Sequence, residues 1–83
     1  MIGNYAFLGC SSLTSVVILE GVTTIGSRAF DECKNLTKMK LPYTLKTADL
    51  RDVPTTAVIT VPKGYAAIYR AKFFSDAYTI VEE

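Results

Sequence analysis

The 83-residue sequence predicts a small, mostly β solenoid: about three stacked coils of 23 residues, ended by a capping helix and strand. Three observations predict it. The stretch Ile2 to Ile18 returns as Ile25 to Leu41, displaced by 23 positions. The pairs Ile2/Ile25, Gly3/Gly26, Ala6/Ala29, Phe7/Phe30, Cys10/Cys33, Leu13/Leu36 and Thr14/Thr37 are identical, and Val16/Met39 and Ile18/Leu41 stay apolar. Within each copy a short segment alternates inward apolar and outward residues with period two, as a half-buried strand does. After Lys63 the apolar spacing changes to that of a helix. A period near 23 belongs to architectures in which one unit cannot bury its apolar side alone and must stack on its neighbours.

In the first copy Ile2, Ala6, Phe7, Cys10 and Leu13 are expected to point inward, with Asn4, Tyr5, Ser11 and Ser12 on turns. Val16 and Ile18 face the core from a strand, while Ser15 and Val17 face out. Glu20-Gly21 turns the chain, glycine supplying the positive φ that a corner needs. Val22-Thr23-Thr24-Ile25, rich in β-branched residues, predicts a shorter extended segment on the opposite wall. In the second copy the small Ala29 lets backbones approach, and Phe30 stacks over Phe7. Leu36, Met39 and Leu41 repeat the strand pattern, and Pro42 closes it.

The third copy is worn. Leu45-Lys46-Thr47-Ala48 answers Val22 to Ile25, Val53 falls where Phe30 would, and Ala57 to Pro62 matches Thr37 to Pro42 at an offset reduced to 20. Beyond Gly64, which breaks the strand, Tyr65, Ile68, Tyr69, Lys72 and Phe73 share one helical face. They predict a helix over about 65–73, ended by Ser75-Asp76, and Ala77 to Val81 predicts a last strand. The expected division is therefore 1–62 for the repeats and 63–83 for the cap. Laid across the end of the stack, the helix is expected to block strand groups that would otherwise recruit another chain.

The motifs A-F-x-x-C-x-x-L-x-x-V-x-I at Ala6 to Ile18, A-F-x-x-C-x-x-L-x-x-M-x-L at Ala29 to Leu41 and V-T-x-I-G at Val22 to Gly26 resemble the BspA-like branch of the leucine-rich repeats. The ending V-P-K-G-x-x-x-x-Y from Val61, followed by I-V-E at Ile80 to Glu82, is similar to that of many such proteins. One departure is Leu19, where the family usually has the proline that Pro42 and Pro62 supply later. The resemblance implies a right-handed leucine-rich-repeat solenoid in a bacterial cell-surface or secreted protein. It also implies adhesion through contacts with host or bacterial surface proteins. Because the first residue after Met1 already belongs to a repeat, the chain is expected to be the C-terminal piece of a longer solenoid or to lack a removed signal peptide.

Composition narrows the classes further. With 49% hydrophobic and 20% charged residues the chain is too apolar for disorder, and its apolar residues form no run that would span a membrane. A net charge of +1 without clustered Lys or Arg argues against nucleic acid and anionic lipid. Cys10 and Cys33 occupy one repeat position and should be stacked about 4.8 Å apart along the ladder direction, pointing the same way. That is a poor geometry for a disulfide, so both are expected as free, core thiols.

Catalytic residues are expected to be none. The sequence has no His, so no Ser-His or Cys-His dyad can form, and no C-x-x-C to hold a metal. Asp31-Glu32, Asp49, Asp52 and Glu82-Glu83 fall on turns or the tail, and Ile25-Gly26-Ser27 is a corner rather than a phosphate loop. No cofactor and no metal site is expected.

The candidate partner surface is the outward face of the strands. Ser15, Lys38 and Val58 form one row, and Val17, Lys40 and Thr60 the next; stacked parallel strands present such rows at fixed spacing on a rigid frame. Lysines there also keep a sheet soluble, and single surface valines are common. Thr23, Thr24 and Thr47 offer hydroxyls for bonds to sugars but read rather as β-formers on a solvated wall, and Tyr65, Tyr69, Phe73 and Tyr78 read as core of the cap rather than as an aromatic platform for carbohydrate. The function expected is a non-enzymatic protein–protein interaction module. The alternative is a purely structural terminator of a longer solenoid whose upstream coils bind. An uncovered layer of Ile2, Phe7 and Leu13 also leads to the expectation of self-association through the first coil.

Overall fold

Repeats displaced by 23 residues place chemically equivalent segments side by side, and hydrogen bonding between them fixes the register. The computed structural model describes residues 2–50, 53–74 and 77–83. Its elements are β1 (Ser15–Val17), β2 (Thr24–Ile25), β3 (Lys38–Lys40), β4 (Thr47–Ala48), β5 (Val58–Val61), α1 (Ala66–Phe73) and β6 (Thr79–Glu82). One parallel sheet has the order β1-β3-β5-β6, and a second, two-stranded sheet pairs β2 with β4. The registers are those of the repeat: Val16 opposite Met39, Met39 opposite Ile59, and Thr24 opposite Thr47. A parallel bridge between Ile2 and Ile25 continues the second wall. Parallel walls built from successive repeats are consistent with a solenoid.

Between the walls lies the core. Ile25, Ala29, Phe30, Cys33, Leu36, Met39 and Leu41 of the second repeat are all buried, because neighbours cover them on both sides. Leu50, Val53, Ala57, Ile59 and Val61 continue that interior. Phe7 and Phe30 stack with centroids 5.2 Å apart and planes 8° from parallel. In the first repeat Ile2, Phe7, Cys10, Leu13 and Val16 are only partly buried against this core. Ala6, expected inward, is exposed. Its counterpart Ala29 is covered by the first repeat, whereas Ala6 has no such layer above it.

Turn chemistry repeats with the same period. Gly21 adopts φ 99° at the corner after β1. Tyr5 and Arg28 share one repeat position and have φ 58° and 54°, and Gly9 and Glu32 share another with φ 72° and 61°. Gly26 is needed for close approach: a Cβ there would lie 2.6 Å from the Asn4 amide nitrogen and 2.8 Å from the Gly3 carbonyl carbon. Gly26 N–H donates to the Ile2 carbonyl at 2.7 Å, and Ser27 N–H donates to Asn4 Oδ1 at 2.8 Å. The Thr44 hydroxyl ties another corner, accepting from Gly21 N–H at 3.1 Å and donating to the Val22 carbonyl at 2.9 Å.

The C-terminal segment differs from expectation in three ways. Helix α1 starts at Ala66, with Tyr65 as a cap residue that makes no side-chain capping bond. Instead the Glu82 carboxylate accepts from Ala66 N–H at 3.2 Å, placing negative charge at the positive end of the helix. Second, Tyr69 and Phe73 are buried, but Ile68 is 47% exposed and Lys72 also faces solvent. The inward face therefore follows Tyr65, Tyr69 and Phe73, because a short helix against a narrow core covers less than the full apolar arc. Third, the last strand is Thr79–Glu82 and pairs in parallel with β5. Glu82 thus lies in a strand rather than on a tail. The sheet edge passes to β6 instead of being covered by the helix, while α1 lies against the interior. The expected stop at Ser75-Asp76 and the carboxylate Asp52 lie outside the described residues.

Candidate functional site

The outward rows follow directly from the pleat. Where the inward residues of β1, β3 and β5 are Val16, Met39 and Ile59, the flanking residues must face away. Ser15, Lys38 and Val58 are direct partners across the ladder, and so are Val17, Lys40 and Thr60. Ser15, Val17, Lys38, Lys40 and Val58 are exposed, and Thr60 is half-buried. The rows extend one strand beyond β5, since Thr79 is opposite Val58 and Val81 is opposite Thr60. The signal was present in the alternation of Thr79-Ile80-Val81, but nothing in the sequence said which strand it would pair with.

Exposed valines interrupt these otherwise polar rows. Val17 is 59% exposed, Val58 37% and Val81 42%. Lys40 Nζ is 3.0 Å from Glu83 Oε1, an exposed ion pair of the kind worth about 0–1 kcal/mol. Its effect is geometric, since it holds the Lys40 side chain toward the end of β6.

Other candidate groups are placed elsewhere. Cys10 and Cys33 are free, half-buried and buried respectively, and the Cys33 thiol donates to the Phe7 carbonyl at 3.1 Å. Burial pushes the Cys33 thiol above its ordinary pKa, which disfavours the nucleophilic thiolate. Burial likewise raises the Tyr69 hydroxyl, which donates to the Pro42 carbonyl at 2.6 Å. Tyr78 donates its hydroxyl to the Val53 carbonyl at 2.5 Å. With Tyr65 half-buried and Phe73 buried, these rings form packing rather than an open platform. Thr23 and Thr47 are exposed, whereas Thr24, expected outward, is half-buried within β2. Among the described residues no group of three or more Cys, Asp or Glu is placed to hold a metal ion. No helix among them is long and apolar enough to cross a membrane.

Comparison with known families agrees with this geometry. A family model described as the BspA type leucine-rich repeat region (6 copies) matches residues 1–75. No curated protein and no solved structure gives a significant match. Leucine-rich repeats of this type are generally non-enzymatic protein-interaction modules. Since the match spans most of the sequence and the parallel ladders follow the repeat, the chain belongs to the BspA-type leucine-rich repeat family.

Proposed function

We propose that this chain is a right-handed solenoid of about three coils over 1–62 with a cap over 63–83, serving adhesion in a bacterial cell-surface or secreted protein. It contacts a host or bacterial surface protein through Ser15, Val17, Lys38, Lys40, Val58 and Thr60. The observation that carries this reading is the in-register pair of outward rows with exposed valines among the polar residues. A rigid frame presenting side chains at fixed spacing loses little entropy when a partner covers it.

The test uses the fluorescently labelled chain titrated onto epithelial cells and onto bacterial cells, beside the double variant Lys38→Glu, Lys40→Glu. Cell-associated signal should fall at least fivefold while the chain stays folded and the melting temperature moves by no more than about 8 °C, since both lysines are exposed and the Lys40–Glu83 pair that is lost is worth about 0–1 kcal/mol. Equal signal from the variant rejects the rows as the binding face. It favours the second reading, a structural terminator, which is supported by the buried Tyr69 and Tyr78 hydroxyl bonds tying the cap to the repeats. The partly buried Ile2, Phe7 and Leu13 also support self-association through the first repeat, read as concentration-dependent light scattering.

A further inference from the structure

Resting on that reading, we propose that the binding face continues into the groove at the C-terminal ends of the strands. The groove takes an extended segment of a partner protein in which one apolar residue lies between an acidic and a basic residue. It encloses roughly 560 Å³ and follows the corners after β1, β3 and β5. Buried Ile18, Leu41 and Pro42 form its floor, and its lining includes Val17 and Lys40, so it is continuous with the outward rows. Its rims are Leu19, 70% exposed, and Tyr43, 54% exposed. Leu19 stands at the repeat position occupied by Pro42 and Pro62 in the later copies. A large flexible apolar side chain is thus held in water at the one corner where the repeat elsewhere keeps a compact ring.

Charge selects the occupant. Lys40 and Glu83 neutralise each other across 3.0 Å. Neither Lys38 nor Glu20 has an ion-pair partner among the described residues, and both are exposed. Along the strand direction the surface therefore reads positive at Lys38, neutral at the Lys40–Glu83 pair, apolar at Leu19 and Tyr43, and negative at Glu20. Each two-residue step along a strand covers about 6.5 Å, so the pattern extends beyond a single side chain and suits an extended peptide. Main-chain reach of that kind, with pockets for alternate side chains, is how extended segments gain specificity on a sheet.

The experiment pans a random twelve-residue peptide display library on the immobilised 83-residue chain, then measures the enriched peptide by fluorescence anisotropy. Enrichment of an acidic, apolar, basic order is expected. Glu20→Lys should weaken the enriched peptide at least tenfold and strengthen a copy whose basic residue is replaced by an acidic one. Leu19→Ser should weaken both. These side chains are exposed, so circular dichroism should show all variants folded. If only Lys38→Glu and Lys40→Glu weaken binding, the groove proposal is overturned and the row face survives. If nothing is enriched, or the enriched peptides share no charge order, the groove proposal is overturned outright.

Discussion

Gly26 and Gly3 occupy the same repeat position, yet replacing each with alanine should have opposite effects. At Gly26 the new Cβ meets Asn4 Oδ1, lies 2.6 Å from Asn4 N and 2.8 Å from Gly3 C, and two of those three atoms are backbone. Ordinary contact requires the first repeat to lift by roughly 0.9 Å. That movement stretches the Gly26–Ile2 and Ser27–Asn4 bonds of 2.7 and 2.8 Å toward their limit. Overpacking costs about 1–3 kcal/mol, and two weakened hydrogen bonds about 0.5–1.5 kcal/mol each. Reduced freedom of the unfolded chain returns about 0.4–1 kcal/mol. The net destabilisation is about 1–6 kcal/mol, a large share of the roughly 4–12 kcal/mol expected for a chain of this length. At Gly3 a Cβ meets nothing within 4 Å, so Gly3→Ala should be neutral or stabilise by up to about 1 kcal/mol. Urea denaturation followed by far-ultraviolet circular dichroism compares the two. Equal stabilities, within about 0.5 kcal/mol, would refute the close stacking of the first repeat on the second.

Other outcomes follow from the same packing. Phe30→Ala should cost about 3–5 kcal/mol and Phe7→Ala clearly less, because Phe30 is 1% exposed and Phe7 only partly buried. A double-mutant cycle on the pair should return a coupling of about 0.5–1.5 kcal/mol, and none would contradict the ring stack. The folded-state pKa of Cys33 lies above its ordinary value of 9.0, so its contribution is whole below that pH and lost as pH rises beyond it. Melting temperatures from pH 8 to 10 should decline, and Cys33→Ala should flatten that part of the profile. Glu32 has φ 61° where the first repeat has Gly9. Glu32→Gly should therefore stabilise by about 0.5–1 kcal/mol, since relief of left-handed strain outweighs the added chain entropy; a melting curve shifted downward would count against it.

Much of the fold was legible because identical residues at one offset leave a single register. Val16, Met39 and Ile59 could be aligned from the sequence, as could Thr24 with Thr47, and the structure pairs them so. The outward rows were legible for the same reason. What was not legible depended on contacts outside the period. Ala6 and Ala29 are the same letter in the same motif, and only the layer above distinguishes their exposure. Ile68 satisfies helical spacing but is left about half exposed, since the narrow interior is filled by Tyr69 and Phe73. The capping role of Glu82 required knowing that β6 returns beside β5, which brings its carboxylate to the start of α1. Leu19 was visible as a departure from the proline pattern, but the groove beside it became apparent only when the corners were brought together.

The position of α1 gives the molecule a direction. Tyr69 and Phe73 occupy the space beneath the interior, and the Tyr78 hydroxyl is anchored on Val53. A further turn of backbone laid there would find aromatic rings where its own leucines should nest. At the opposite face Phe7 and Leu13 remain open to receive such a turn. The interior is therefore better matched to whole 23-residue units spliced ahead of Ile2 than to units appended below the helix, which would meet those rings even though β6 leaves a strand edge there.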